Sequence, residues 1–340
     1  MSGKSITSEF MLGRRTLLRC ATAATVSLAA PGLIRQASAA EELRFAHIFT
    51  VEQPFHKWVL WASEQIEQKT AGRYKITVFP ASALGGEVDI YRSLSVGTID
   101  MGFTGAPTAS RDYGPLGLIS GPYVFRDYDH WKRYRDSDVF KEIMEAYNET
   151  SGIHAVAAVY YGTRQVTSNK TIREPADMEG LKLRVPNVPL YLLFPLSVGA
   201  NPAPIAFAEL YLALQQKTVD AQENPLPTIL AQKFHEVQTN IALTDHMIDT
   251  LVALANRAKW NRLSEEDKGI FNSTFAEAMA KCTEEVRATE LQLISDFKTQ
   301  YGVAVDEVNK EAFRSLMTPL LSGSDVPWSP EDYERAQALA

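Results

Sequence analysis

Hydrophobic and polar positions in the first part of the chain alternate between a strand pattern and a helix pattern. Residues 43–46 alternate as a strand does, and residues 55–70 carry apolar side chains three and four positions apart, which predicts a helix. The same succession continues as a strand, a helix and a strand over residues 74–79, 87–95 and 99–103. Strands that alternate with helices predict a parallel sheet with helices packed on its faces.

The middle of the chain begins a second run of the same kind. Strand patterns cover residues 154–160 and 181–185, and a helix pattern covers residues 207–216. We therefore expect a second α/β unit after a domain change near Tyr160. Residues 247–255 are apolar enough to form a buried strand that returns the chain to the first unit.

The longest predicted helix starts after Ser264, an N-cap residue that is followed by three acidic residues. No proline interrupts the chain from there to Gly302. Because a helix of this length exceeds the diameter of either unit, we expect it to brace both.

Residues 1–39 have the pattern of an export signal. Arg14 and Arg15 form a twin-arginine pair, residues 21–34 are apolar and small, and Ala37-Ser38-Ala39 suits a signal peptidase. The apolar run is broken by a proline and a glycine, and it is shorter than the roughly 20 residues of a membrane span. We predict cleavage after Ala39 and a periplasmic location for the mature protein.

Charge restricts what the mature protein binds. Loss of the signal would leave 29 basic and 40 acidic residues, and a chain this acidic is a poor partner for nucleic acid or anionic lipid. Cys282 would be its single cysteine, which excludes an intramolecular disulfide. An anion site in this protein requires locally placed arginines.

Two arginines occupy suitable positions. Arg184 lies on a predicted strand that runs into a Val-Pro turn, and Arg164 follows the strand that ends at Tyr161. Ligands of open α/β sheets bind at the carboxyl ends of strands, and the guanidinium fork matches a carboxylate. The structural alternatives are pairing of Arg184 with Asp177 or Glu179 and a solvated loop position for Arg164.

Two further residues complete this candidate anion site. Asn224, between Glu223 and Pro225, has a side-chain amide that donates hydrogen bonds, although such residues also form turns. Phe207 is either a core residue or an aromatic wall for a ligand.

Sequence blocks around these residues carry a resemblance to a known family. The blocks are GTRQVTSNK at 162–170, GLKLRVP at 180–186, GANPAP at 199–204 with Phe207, LALQ at 212–215, and VDAQENP at 219–225. In this order they resemble the solute-binding subunits of tripartite ATP-independent periplasmic (TRAP) transporters of the DctP type, closest in motif to the sialic-acid binders. The resemblance covers essentially all of the mature chain.

The resemblance implies a fold and a division of the chain. The fold is α/β, of the two-lobed periplasmic binding protein class (type II-like), with a mostly parallel sheet flanked by helices in each lobe and a long helix that braces both. We assign residues 40–161 to lobe I and residues 162–246 to lobe II. Residues 247–290 return to lobe I and include the start of the long helix, and residues 291–340 form a C-terminal segment packed on lobe II. The implied partners are a small organic acid and the membrane permease subunits, and we expect a monomer.

The resemblance also implies roles for individual residues. Arg184 matches the arginine that forms the main salt bridge to the ligand carboxylate. Arg164, Asn224 and Phe207 match residues that join it in the sialic-acid binders, and Asn187 matches a position that lines the pocket.

Lobe I departs from the sialic-acid binders. Thr104 begins a Thr-Gly-Ala segment where those proteins have an acidic residue, and the first loop, which starts at His47, differs as well. His47, Glu87, Asp89 and Thr104 are therefore the polar candidates of this lobe. We predict that the carboxylate end is retained while the distal end suits a sugar acid such as a uronate or aldonate. A C4-dicarboxylate, an aromatic acid and sialic acid stay open as alternatives.

Other classes of protein are less consistent with the chain. The sequence contains no Gly-x-Ser-x-Gly elbow, no metal-spaced histidine pair and no phosphate loop, so we expect no catalytic residue, metal or cofactor. An exported enzyme is the least favoured function. A ligand-binding partner of a membrane sensor would share the same fold and pocket, and the sequence does not separate it from a transport subunit.

Overall fold

Nine strands join in one mixed sheet in the computed structural model, which describes residues 40–340. The predicted export signal, residues 1–39, lies outside the described residues. The strands are β1 (Glu41–Ala46), β2 (Tyr74–Phe79), β3 (Met101–Gly105), β4 (Ile153–Ser168), β5 (Lys182–Val185), β6 (Asn201–Pro204), β7 (Ala221–Pro225), β8 (Asn240–Asn256) and β9 (Ala304–Glu307).

Twelve α-helices cover the sheet within the same residues. They are α1 (Pro54–Lys69), α2 (Glu87–Val96), α3 (Ala106–Ala109), α4 (Tyr128–Asp136), α5 (Asp138–Thr150), α6 (Leu193–Ser197), α7 (Leu210–Gln215), α8 (Leu226–Ala231), α9 (Arg257–Trp260), α10 (Glu265–Thr299), α11 (Lys310–Met317) and α12 (Pro330–Gln337). Within residues 40–340, none of them combines the length and the apolar character that a bilayer crossing requires.

The sheet has a parallel group of strands at each end. Its order is β2-β1-β3-β8-β4-β7-β5-β6, and β9 pairs with β8 beside this path. Strands β2, β1 and β3 are parallel to one another, as are β6, β5 and β7. The predicted parallel pairing is therefore confirmed within each group, although both groups belong to one mixed sheet. We call the β1–β3 side lobe I and the β5–β7 side lobe II.

Two long strands connect these groups, a feature that the sequence patterns did not predict. The 16-residue β4 and the 17-residue β8 run antiparallel to each other along almost their whole length. Each contains a continuous buried run, which fits strands covered on both faces. The predicted buried strand at residues 247–255 is confirmed as the second half of β8.

A glycine occupies the point where β4 passes from lobe I to lobe II. The β4–β8 register shifts between Tyr160 and Gly162, and Gly162 has a φ of 131°. A Cβ at this position would lie 2.5 Å from the Cβ of Pro225 at the end of β7. Glycine is therefore required here both by the backbone conformation and by the close approach of β7.

The predicted bracing helix is confirmed as α10, which spans 35 residues. The Ser264 side chain caps it by accepting a hydrogen bond from the Asp267 backbone N–H. Phe275 near its start belongs to the larger hydrophobic core, whereas Leu293 and Phe297 near its end belong to a second core formed around α7 and α8. One helix thus contributes to both cores.

The C-terminal helix α12 lies against residues assigned above to lobe I. His130 Nε2 is 2.9 Å from the Ala336 carbonyl oxygen, and Gln337 donates to the Val124 carbonyl at 2.7 Å. The expectation for segment 291–340 was lobe II, but the chain returns to lobe I after α11. The remaining lobe boundaries stay predictions.

Candidate functional site

A cavity of about 340 Å³ lies between the two lobes. Thr104 of β3, Arg184 of β5 and Asn224 of β7 all line it, and each is the second-last residue of its strand. The carboxyl ends of parallel strands from both lobes therefore face one space, which is where open α/β sheets bind ligands. Eight of the nine predicted site residues line this cavity; His47 does not.

Arg184 is buried and only partly satisfied. Its Nε and Nη2 donate to the Ile205 carbonyl oxygen at 2.9 and 2.7 Å, while its Nη1 has no hydrogen-bond partner among the described residues. Burial lowers the pKa of Arg184 to about 10, so the group still carries its charge at neutral pH. The suggested pairing with Asp177 or Glu179 is absent from residues 40–340, where Arg184 forms no salt bridge.

Arg164 lies in a different electrostatic environment. Its guanidinium binds both carboxylate oxygens of Glu223, with Nη2 donating to Oε1 at 2.8 Å, and its Nη1 donates to Asp249 Oδ2 at 2.9 Å. Burial alone would lower the pKa of Arg164, but Glu223 and Asp249 outweigh it and hold the pKa well above its usual value. The solvated loop interpretation was wrong, because only 1% of the residue is exposed.

Asn224 is oriented by its neighbours. Its Oδ1 accepts hydrogen bonds from Tyr161 Oη at 3.2 Å and from Arg164 Nη2 at 3.3 Å, and its Nδ2 donates to Gln222 Oε1 at 2.6 Å. Because an arginine only donates, the oxygen must face it. The second N–H of the amide bonds to no described residue, and Asn224 lines the cavity.

Phe207 and Asn187 line the cavity near Arg184. The Arg184 guanidinium carbon is 5.9 Å from the Phe207 ring centroid, so this ring is an aromatic wall for the arginine. It also packs edge-on against Phe234, so it contributes to the second core as well. Asn187 is exposed, and Arg111 of lobe I donates to its carbonyl oxygen at 3.4 Å.

Lobe I contributes Glu87 and Thr104. Gly105 N and Thr108 Oγ1 both donate to Glu87 Oε1 at 2.7 Å, and no described residue bonds to Oε2. Burial raises the pKa of Glu87, opposed by these two hydrogen bonds. Thr104 is 1% exposed, and its Oγ1 has no hydrogen-bond partner among residues 40–340. Asp89 also lines the cavity and caps α2.

His47 is the one predicted site residue that turns away from the cavity. It is fully buried, its Nε2 lies 3.1 Å from His56 Nδ1, and its Nδ1 accepts a hydrogen bond from the Phe49 backbone N–H. Burial, with a smaller effect of His56, lowers its pKa to about 3. The prediction of His47 as a pocket residue is corrected for this physical reason: α1 supplies a partner for the ring on the other side.

Sequence reasoning missed several residues of the cavity wall. Tyr161 and Tyr191 line it, and each ring faces the Arg164 guanidinium, at 5.8 and 4.9 Å. Asp249, which pairs with Arg164, was missed inside an apolar strand. A lone carboxylate within the buried run of β8 was the signal, since a buried charge requires a partner.

The geometry defines a binding protein of the two-lobed periplasmic class. Comparison with known proteins agrees. The profile of the family "Bacterial extracellular solute-binding protein, family 7" (DctP) matches residues 45–324. The sialic acid-binding periplasmic protein SiaP of Vibrio cholerae is 32% identical over 311 residues, which is 89% of this chain and 94% of SiaP.

Two further relatives have described ligands. The 2,3-diketo-L-gulonate-binding periplasmic protein YiaO of Escherichia coli is 31% identical, over 82% of this chain and 85% of YiaO. The crystal structure of a TRAP periplasmic solute-binding protein from Polaromonas, bound to D-erythronate, superposes with a TM-score of 0.83 at 30% identity, over 87% of this chain and 98% of the other. This chain belongs to the DctP family of TRAP solute-binding proteins.

Proposed function

We propose that the protein captures a small sugar acid, a uronate or an aldonate, in the cavity between its lobes and delivers it to a TRAP permease. The observation that carries this proposal is the Arg184 Nη1 group, a buried cationic donor that lines the cavity without a partner among the described residues. A buried charged donor of this kind is costly unless a ligand supplies an acceptor. A carboxylate supplies two.

The proposed carboxylate site consists of residues from lobe II. Arg184 Nη1 and the free N–H of Asn224 donate to the carboxylate oxygens, and Phe207 covers the guanidinium. Each charge-assisted hydrogen bond contributes about 1.5–3 kcal/mol. Arg164 supports this site from behind through Asn224, since its own charge is already balanced by Glu223 and Asp249.

The proposed hydroxyl site is in lobe I. Glu87 Oε2 is an acceptor and Thr104 Oγ1 both donates and accepts, which suits the hydroxyl tail of a sugar acid. A second carboxylate placed beside Glu87 would meet another acidic group, which disfavours a dicarboxylate in that orientation. The name of YiaO gives 2,3-diketo-L-gulonate as its ligand, and the Polaromonas protein is bound to D-erythronate; both are sugar acids.

Ligand binding stabilises the closed arrangement of the lobes. Contacts to Arg184 from one side and to Glu87 from the other are made together only when the lobes enclose the ligand, and exclusion of water strengthens each of them. The permease can then distinguish loaded from empty protein. We place the mature protein in the periplasm, exported by a twin-arginine signal that is cleaved after Ala39, and assign it no catalytic activity.

A thermal-shift screen of residues 40–340 tests the proposal. The panel contains D-gluconate, D-galacturonate, D-erythronate, succinate, benzoate and sialic acid, and calorimetry follows each hit. A specific binder raises the melting temperature by mass action, and we expect sugar acids to give the largest shifts. A shift with sialic acid alone would replace the sugar-acid assignment, since SiaP is a relative. Turnover of a ligand by the pure protein would contradict a transport role.

A further inference from the structure

A chain of side-chain hydrogen bonds connects lobe I to the carboxylate site of lobe II. Gln53, just before α1, donates from Nε2 to Thr228 Oγ1 of α8 at 3.3 Å. Thr228 Oγ1 donates to Tyr161 Oη at 3.1 Å, and Tyr161 Oη donates to Asn224 Oδ1 at 3.2 Å. All four residues are at most 4% exposed, and only Tyr161 and Asn224 line the cavity.

The chain has one consistent direction. Asn224 Oδ1 can only accept, so Tyr161 gives its single proton to Asn224 and accepts from Thr228. Thr228 in turn gives its single proton to Tyr161 and accepts from Gln53 Nε2, which can only donate. Hydrogen bonds aligned in this way polarise and strengthen one another. The Gln53 amide nitrogen and the Asn224 amide oxygen therefore impose the same direction on the series from its two ends.

Gln53 also organises the loop that leads to it. Its Oε1 accepts a hydrogen bond from the Thr50 backbone N–H at 3.1 Å, within the segment 47–53 that joins β1 to α1. Ile48 and Phe49 of this loop line the cavity. One amide thus holds a cavity loop of lobe I with its oxygen and a helix of lobe II with its nitrogen.

Tyr161 is the point where these contacts meet. Its ring packs against Phe49 and Phe55 with centroid distances of 5.5 and 5.4 Å, while its hydroxyl bonds to Thr228 and Asn224. Movement of the 47–53 loop therefore displaces both the ring and the hydroxyl of Tyr161.

We propose that Gln53, which does not touch the cavity, is a positioning residue for ligand binding: through Thr228 and Tyr161 it couples the 47–53 loop to Asn224. The inference rests on the proposed function, because it assigns Gln53 to the carboxylate site described there. Loss of the amide leaves the buried Thr228 oxygen without its donor and frees the loop, so the two walls of the cavity are no longer held together. The bound ligand is then released faster.

A double-mutant cycle tests the coupling. Gln53→Met removes the amide at similar volume, Thr228→Val removes the hydroxyl at the same shape, and both are combined in a third protein. Affinity and dissociation rate are measured with whichever of D-gluconate, D-galacturonate and D-erythronate gives the largest thermal shift. Gln68→Met, at an exposed position near the end of α1, is the matched control.

We expect each single variant to weaken binding three- to tenfold, mainly through faster dissociation. The double variant should bind with the same affinity as the single variant that binds less tightly. Thr228→Ser, which keeps the hydroxyl, restores affinity to within twofold of the native protein. Any of three results would overturn the proposal. The affinities of the single variants could lie within twofold of the native value, the losses of affinity could multiply in the double variant, or Thr228→Ser could fail to restore binding.

Hydrogen exchange of the unliganded protein separates this inference from the proposed function. Thr228→Val speeds exchange of the Thr50 amide proton although Thr228 lies in the other lobe, but by less than Gln53→Met, which removes the acceptor of that proton directly. Unchanged Thr50 exchange in Thr228→Val overturns the inference even when sugar acids bind. If Thr228→Val speeds Thr50 exchange but the protein binds no sugar acid, the coupling between Thr228 and the 47–53 loop stands and the proposed ligand is wrong.

Discussion

The two arginines of the cavity wall differ in how their charges are balanced. Arg164 forms salt bridges to Glu223 and Asp249, whereas Arg184 donates to one backbone carbonyl and leaves Nη1 without a partner among the described residues. Burial acts on both, but the pKa of Arg164 is raised by its carboxylates and the pKa of Arg184 is lowered to about 10.

The two arginines therefore have different roles, although they are the same type of residue. A balanced arginine holds strands together and gains nothing from a ligand anion, while an unbalanced one has electrostatic energy to gain from it. We therefore expect Arg164 to determine folding stability and Arg184 to determine affinity.

Replacement of Arg164 should have the largest effect. Arg164→Met leaves the buried carboxylates of Glu223 and Asp249 without their cation, and removal of one partner of a buried ion pair costs about 3–5 kcal/mol. Urea denaturation of the unliganded protein measures the loss. Arg126→Met, at an exposed position, is the control and should change the unfolding free energy by less than about 0.5 kcal/mol. A loss of that small size for Arg164→Met would mean that its salt bridges are not structural.

Replacement of Arg184 should reverse this pattern. Arg184→Ala removes the proposed carboxylate contact, so ligand affinity falls at least tenfold, which corresponds to about 1.4 kcal/mol or more. The unfolding free energy changes less than in Arg164→Met, because no buried carboxylate loses its partner. Calorimetry and urea denaturation of the same samples check both halves of the statement. Unchanged affinity together with a large loss of stability would exchange the roles of the two arginines.

Much of this arrangement follows from the sequence, and the reasons for the rest are physical. The position of Arg184 at a strand end follows from hydrophobic periodicity and the motif blocks, and the motif blocks alone assign Asn224 to the site. The balance of Arg164 depends on Asp249, which β8 brings from 85 residues away, and periodicity carries no information about such a pairing. His47 was misplaced because the departure of the first loop from the sialic-acid binders identifies a polar residue there, but does not give the direction of its side chain.

The pH dependence of the unfolding free energy tests the cluster around Arg164, with a smaller expected effect. His246 donates to Glu223, and burial lowers the pKa of His246 in the folded protein, opposed by Glu223. Below about pH 6.5 the unfolded state binds a proton that folded His246 does not, so the unfolding free energy falls as the pH falls, by up to about 1.4 kcal/mol per pH unit. We expect His246→Gln to flatten the slope between pH 6.5 and 5.5 in urea titrations. An unchanged slope would mean that His246 takes up its proton without unfolding.

The smallest expected effect concerns the lobe I end of the cavity, where Glu87 lies. In Glu87→Gln the oxygen that accepts from Gly105 and Thr108 is kept, and only the free Oε2 becomes an N–H donor. The change therefore exchanges one acceptor for a donor and leaves the carboxylate site intact. We expect the affinity for D-gluconate to fall about threefold and the affinity for 2-hydroxybutanoate, which lacks the hydroxyl tail, to stay the same, because one neutral hydrogen bond contributes about 1 kcal/mol. If calorimetry gave equal losses of affinity for both acids, the carboxylate and not the hydroxyl tail would lie next to Glu87. The ligand would then bind in the reverse of the orientation that the unbalanced Arg184 predicts.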